Sequence, residues 1–251
     1  MADMNAQAQA KRRLVVIGGI VLVAIVAVAV IIGVSSGGSG GGSTTASTTG
    51  GSASGASGLK GVSAVTSELA GIPQSGNTLG KPDAPATLMV FADLQCPFCA
   101  EFENGTMPAL VKRYVRPGKL KIVFQPIVIL GNDSILGARA AGAAAQQGKM
   151  FDYSAILYRN QGPENSGYLN QAYVKKIGSA TSGLDVAKLT ADLKSPAVNK
   201  LLNDAQALST SAKVNSTPSF FVAKKGQTLQ PLQVSALTAD AFTPTLDRIT
   251  R

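Results

Sequence analysis

The chain has 251 residues, 45% of them apolar, and a net charge of +9 from 23 Lys and Arg against 14 Asp and Glu. It has no histidine and only two cysteines, which excludes Ser-His-Asp and Cys-His catalysis, histidine zinc sites and a disulfide framework. Its basic residues are scattered, with Lys175-Lys176 and Lys224-Lys225 among the few adjacent pairs, and no basic run interleaves with aromatics, so nucleic acid is not expected; with no histidine and two cysteines no metal is expected either, nor is a cofactor.

Residues 1–13 are polar and end in Lys11-Arg12-Arg13; Leu14–Val34 then runs for 21 residues without a charged or polar side chain. As a helix rising about 1.5 Å per residue it would span a hydrocarbon core of roughly 30 Å. The basic flank keeps residues 1–13 in the cytoplasm and puts the rest outside. The competing reading is a cleaved signal peptide, with an apolar core of about 7–15 residues and a small-x-small cleavage site. The longer span and the poor site at Val34-Ser35-Ser36-Gly37 favour an uncleaved single-pass signal anchor in the cell membrane. Ser35–Gly58 is almost wholly Gly, Ser, Thr and Ala; it predicts a disordered linker with an end-to-end distance on the order of 25–30 Å.

The globular domain is expected over 59–251. Val62-Ser63-Ala64-Val65 reads as a short first strand. Ile72–Asn77 and Gly80–Pro85 read as turn-rich connectors. Thr87–Ala92 is a strand, followed by the Cys-x-x-Cys turn and a helix whose face is Phe98, Phe102, Leu110, Val111 and Tyr114. Pro108 should kink or split that helix, and Arg116-Pro117-Gly118 should end it. Leu120–Leu130 reads as the next strand. A helical block over about 134–212 follows, opening with the alanines at 138, 140, 141 and 143–145 and broken by a loop at Gln161–Gly167. Its later helices start at Asp185 and Ser195-Pro196. Phe220–Ala223 and Leu229–Val234 form a hairpin around Lys224–Gln227, and Thr238–Ile249 is a last helix containing Pro244. The strand–helix–strand unit implies a parallel pair. With the hairpin it gives an α/β fold: a thioredoxin-like mixed sheet with a helical insertion.

Both cysteines stand in Asp93-Leu94-Gln95-Cys96-Pro97-Phe98-Cys99, between strand and helix. Pro97 suits the first helical position. Cys96 then faces the free N–H groups and positive dipole end of the helix, which favours thiolate. Cys99 falls one turn deeper. One thiol attacks and the other resolves. A disulfide closing so short a loop constrains the unfolded chain little, so stability is a weak reason for it.

Four separated segments carry a resemblance. They are Gly71-Ile72-Pro73-Gln74 with Leu79-Gly80 and Ala84-Pro85; Phe91–Cys99; Gln147–Phe151 running on to Leu157–Gln161; and Ser216–Val222. Together they make the chain similar to the DsbA-like thioredoxin-fold disulfide oxidoreductases over roughly Gly71–Thr250. The resemblance implies that Cys96 attacks, that Cys99 resolves, and that Thr217-Pro218 is a cis-proline loop beside them that binds an extended substrate. It also implies two departures. Phe98 stands where strong oxidants of the family carry His, and supplies no donor or charge to the thiolate. Val90 stands where the wider thioredoxin group often carries a buried acid. Asp93 either tunes the site or caps the turn, and capping is favoured.

The function expected is a membrane-tethered, extracytoplasmic thiol–disulfide oxidoreductase exchanging disulfides with exported proteins, most simply as an oxidase, and served by a membrane redox partner. No dimerisation domain is recognisable, so a monomer is expected, which favours oxidase or reductase over isomerase. The alternatives are a non-catalytic peptide-binding module using the groove at Pro218, and a structural disulfide in a surface protein. An enzyme needs an exposed Cys96 of low pKa.

Overall fold

The computed structural model describes residues 58–251. The expected span at 14–34 and all but the last residue of the linker lie outside the described residues. Among those described, no helix is long and apolar enough to cross a membrane.

Val62-Ser63-Ala64-Val65 is not a strand but the start of helix α1 (Val62–Leu69). Val62, Val65 and Leu69 stand three and four apart, the helical period, and Val65 and Leu69 are buried. Adjacent Ala64 and Val65 already break the period of two that a half-buried strand needs. An unforeseen hairpin takes up most of the first expected connector and runs on to Leu79. β1 (Gln74–Ser75) pairs antiparallel with β2 (Thr78–Leu79) across Gly76-Asn77. Strands of two residues are too short to show alternation.

β3 (Ala86–Ala92) is a near-continuous apolar run because both its faces are covered. Leu88 and Val90 face the main core, whereas Met89 and Phe91 face a smaller cluster. β3 pairs in parallel with β4 (Leu120–Pro126), Ala86 opposite Leu120 and Ala92 opposite Pro126. On its other side it pairs antiparallel with β5 (Ser219–Lys224), which pairs with β6 (Gln230–Leu232). The sheet is six-stranded and mixed, in the order β1-β2-β4-β3-β5-β6. β4 stops at Pro126, short of the expected Leu130, because the Ile129 and Leu130 N–H groups turn to the Asp93 carboxylate.

From Pro97 to Val115 the chain is helical in four pieces. These are α2 (Pro97–Glu101), a wide π-helical turn (Phe102–Thr106), α3 (Met107–Leu110) and a second π-helical turn (Val111–Val115). Pro108 lacks an N–H, and its ring crowds the carbonyl four residues back. The wide turn before it, where the Met107 N–H reaches the Phe102 carbonyl, accommodates that clash and splits the helix as expected.

The insertion between β4 and β5 holds α4 (Asn132–Ala145), α5 (Met150–Arg159), α6 (Gln171–Ala180), α7 (Val186–Asp192) and α8 (Pro196–Ser211). Asp185 and Ser195 cap α7 and α8 as expected, accepting from the N–H groups of Lys188 and Val198. The six alanines of α4 are all buried. A Cβ on Gly137 would lie 2.8 Å from the Leu94 Cβ, so α4 abuts the turn that carries the cysteines. α9 (Ala239–Ile249) ends the fold and runs on through Pro244.

Candidate active site

β3 delivers the chain to Asp93 at the end of a central strand, where polar groups enter the core and need partners. The residue is fully buried. One carboxylate oxygen accepts from Gln95 N–H at 2.9 Å and the Ser134 hydroxyl at 2.7 Å. The other accepts from Ile129 and Leu130 N–H at 2.9 and 3.1 Å. Four donors thus saturate its two oxygens. One side chain ties the Cys turn, the loop after β4 and the start of α4 together. Of the two roles weighed for Asp93, fastening the turn is the one its contacts serve; its carboxylate bonds neither cysteine.

The buried Gln95 extends this network. Its amide donates to Ser134 Oγ at 3.0 Å and Asn165 Oδ1 at 3.2 Å, and accepts from Asn165 N–H at 2.8 Å. The carbonyls of the turn are met as well. The Tyr158 hydroxyl donates to Asp93 O at 3.0 Å, and Gln161 Nε2 to Leu94 O and Cys96 O at 3.0 and 3.3 Å. Tyr158 and Gln161 fall in a segment that carried the resemblance, but nothing in the sequence placed them at the site. Gln95, Ser134 and Asn165 are polar residues whose burial no periodicity reveals.

Held this way, Cys96 is the N-cap of α2 at φ −68° and ψ 121°, with Pro97 at the first helical position. The Cys99 N–H donates to the Cys96 sulfur at 3.4 Å, and the Cys96 thiol donates to the Thr217 carbonyl at 3.3 Å. The Thr217–Pro218 bond is cis. Pro218 also lines an open groove with Asn215, Ser216, Pro231 and Val234. Both cysteines are free thiols. Cys96 is 4% exposed and Cys99 1%, so the expected open Cys96 is instead nearly covered. Phe98 beside it is 62% exposed.

The Cys96 pKa is lowered from 9.0 to about 6. The largest cause is the hydrogen bond from the Cys99 thiol. Burial opposes it; the Thr217 side chain and the N–H groups of Cys99 and Phe98 reinforce it. The Cys99 thiol is pushed well above 9.0, by burial first, then by its hydrogen bond to Cys96 and by the Cys96 charge. The turn therefore brings together Asp93, Cys96, Pro97, Cys99 and Thr217, and sets one sulfur ready to ionise and the other not.

A family profile described as thioredoxin matches residues 74–239. The probable disulfide bond formation protein D of Bacillus cereus is 28% identical over 148 residues, covering 58% of this chain and 68% of that protein. A solved thioredoxin-like oxidoreductase from Silicibacter pomeroyi is 29% identical with a TM-score of 0.54, covering 70% of this chain and 91% of its own. Oxidised BdbD from Bacillus subtilis shares the fold, with a TM-score of 0.61 at 20% identity over 71% of this chain and 96% of its own.

The chain belongs to the DsbA-like thioredoxin-fold family. It is a thiol–disulfide oxidoreductase, and the Cys96–Cys99 pair is the group able to do that chemistry. In this DsbA-like chain the helical insertion does more than cover the sheet. Through Ser134, Tyr158, Gln161 and Asn165 it supplies much of the scaffold that holds the Cys turn.

Proposed function

We propose that this oxidoreductase is an oxidase of exported proteins, tethered by residues 14–34 to the outer side of the cell membrane. The observation that carries the direction is the asymmetry of the two thiols. A Cys96 pKa of about 6 means that at pH 7 ionisation favours the reduced pair about tenfold, worth about 30 mV towards a more oxidising disulfide. The name disulfide bond formation protein D, borne by the Bacillus relative, supports the same direction.

In this reading a substrate thiolate attacks Cys96 Sγ of the Cys96–Cys99 disulfide. The electron pair of the broken bond leaves on Cys99, which takes up a proton. A second substrate thiolate attacks the substrate sulfur of the mixed disulfide and expels Cys96 as thiolate. The substrate leaves oxidised, and a membrane redox partner takes two electrons from the dithiol. Phe98, Ile129 and Ile135 are large apolar side chains left exposed. All lie on segments tied to Asp93, and they suit apolar stretches of a chain not yet folded. The cis-Pro218 loop, whose Thr217 carbonyl meets Cys96, offers the substrate a place beside the sulfurs.

The test is the reduction potential of the pair against glutathione. An oxidase should stand well above thioredoxin, at about −180 mV or higher; a value near about −270 mV would make the protein a reductase. For the tether, a reporter fused after Arg251 should be active outside the cytoplasm in the membrane fraction. Cytoplasmic activity overturns the topology, and a soluble mature form overturns the anchor.

A further inference from the structure

Lysines that lie scattered along the chain are gathered by the topology of the sheet. β3 and β4 are parallel, so both begin at one end, and β5, antiparallel to β3, finishes there; Ala86 stands opposite both Leu120 and Lys224. Lys119 and Lys121 flank the first residue of β4. Lys224 closes β5, and the N–H of Lys225 after it donates to the Pro85 carbonyl at 2.7 Å. Lys81 joins them. A Cβ on Gly118 would lie 2.9 Å from the Lys81 stem, and the Lys121 ammonium donates to the Pro82 carbonyl at 3.0 Å. All of these lysines but Lys121 are exposed. The Cys turn follows the other end of β3, seven residues on and about 20 Å away.

The helical run that starts at Pro97 also ends here, since the Lys119 N–H donates to the Tyr114 carbonyl at 2.9 Å. It adds Arg113 and Arg116. Arg113 binds Asp247 at 2.8 Å, whereas Arg116 donates to the Ala70 and Glu68 carbonyls rather than to an acid. Among the described residues no ion pair holds any of the five lysines. Asp83, two residues past Lys81, is an exposed acid among them. The segments around the cysteines bring acids instead: Glu101 in α2, Asp133 in α4 and Glu164 in the loop that holds Asn165. The domain is polarised along β3, positive at the end away from the cysteines.

We propose that this basic end is a docking face for an anionic lipid bilayer, and that it holds the cysteines turned away from the membrane, towards exported chains; this rests on the tether proposed above. A linker reaching on the order of 25–30 Å lets either end of the domain come down on the lipid. α1 starts beside the cysteines, where the Lys60 N–H donates to Asn160 next to Gln161, and finishes at the basic end, under Arg116. The tether therefore selects neither end, and charge does. Anionic headgroups attract Lys and Arg within a Debye length, about 8 Å at physiological ionic strength, and exposed lysine stems carry their charge outwards. The anchor keeps the bilayer always within reach, which makes lipid, rather than a free polyanion, the occupant. Phe98, Ile129 and Ile135 are thereby kept off the lipid and open to substrate. Contacts made by separate lysines and screened by salt also release readily, so the domain turns over to meet a membrane redox partner.

The experiment reconstitutes the full-length protein in vesicles of phosphatidylcholine alone, or with about one third phosphatidylglycerol. A membrane-impermeant amine reagent labels the outward-facing domains, and mass spectrometry reads each lysine. Lys81, Lys119, Lys224 and Lys225 should label about tenfold more slowly on the anionic vesicles, and high salt should restore them. Lys175 and Lys176, adjacent and exposed on α6, should label alike on both. Combining Lys119→Gln, Lys224→Gln and Lys225→Gln should leave Lys81 equally reactive on the two lipids, while Lys175→Gln with Lys176→Gln should keep it slow. Alkylation of Cys96 by a membrane-impermeant maleimide should run equally fast on both. Slower alkylation on the anionic vesicles would put the cysteines against lipid and overturn the orientation. Equal labelling of the four lysines on both lipids, or protection shared by Lys175 and Lys176, overturns the docking face, as does protection by soluble polyphosphate with none on the vesicles. Protein that does not stay with phosphatidylcholine vesicles overturns the anchor, a separate result.

Discussion

The mouth and the floor of the site, one helical turn apart, treat negative charge in opposite ways. At the mouth, Cys96 meets the Cys99 thiol, the Thr217 side chain and two helix-start N–H groups, and its pKa falls to about 6. At the floor, Cys99 is surrounded by apolar side chains with Glu103 and Tyr158, and burial drives the pKa of all three up. The contrast shows that a Cys-x-x-Cys pair is not two equivalent thiols in a ring. The helix end solvates one sulfur with backbone donors, while the core withholds solvent from the other.

Exchanging the roles is the most severe way to break this contrast. Cys96→Ser should abolish exchange, because the remaining thiol is covered and protonated. Cys99→Ser should instead accumulate mixed disulfides with substrate proteins, seen on non-reducing gels, since no resolving thiol remains. Trapping by Cys96→Ser, or preferential alkylation of Cys99 in wild type, would reverse the assignment.

The next effect is read through pH. The Cys96 pKa is depressed on folding, so its stabilisation of the reduced protein is complete above about 9 and lost as pH falls through about 6. The stability difference between reduced wild type and Cys96→Ser should therefore grow between those limits. The total should be on the order of 4 kcal/mol, measured by denaturant unfolding. Glu103 has the opposite sign. Its raised pKa contributes stability below about 4.5 that is lost as pH rises through about 8. Glu103→Gln should accordingly flatten the decline in wild-type stability over that interval.

How much of this was legible beforehand divides along the same line. The mouth was readable: the family resemblance implied Thr217-Pro218 beside Cys96, while Pro97 at the first helical position and Cys96 at the helix start followed from local rules. So did the parallel β3–β4 pair and the caps at Asp185 and Ser195. The floor was not. Glu103 looks like any polar residue of an amphipathic helix until the π-helical turn and the packing of α5 enclose it. The scaffold behind the mouth was hidden for a related reason. Ser134 and Asn165 lie 39 and 70 residues beyond Gln95 along the chain, and only tertiary structure makes them one network. At α1, four residues were too few to tell a strand from the first turn of a helix.

Asp93 lets the mouth be loosened without touching a sulfur. Asp93→Ala would leave the Gln95, Ile129 and Leu130 N–H groups and the Ser134 hydroxyl without their acceptor. Each unmet buried group costs about 1–3 kcal/mol, and water entering the space will meet some of them. A net loss of about 3 kcal/mol in unfolding free energy is expected. The Cys96 alkylation midpoint should rise as the turn relaxes, while Cys99 stays protected. A variant as stable as wild type would show that the loop after β4 holds the turn by other means.

The smallest effect comes from Phe98, which touches the mouth alone. Its backbone N–H helps hold the Cys96 thiolate, but its ring supplies no charge and stands 62% exposed. Phe98→His would add a donor, and below its pKa a positive charge, next to the sulfur at a place where solvent screens part of the gain. The reduced form should be favoured, and the pair should become more oxidising by about 30 mV, the equivalent of about 1.4 kcal/mol. The Cys96 alkylation midpoint should move below pH 6 with it. Phe98→Leu, which changes size without charge, serves as the control. If the histidine variant is unchanged in potential or more reducing, the dipeptide between the cysteines does not set the poise. The asymmetry would then rest on the helix start and on burial alone.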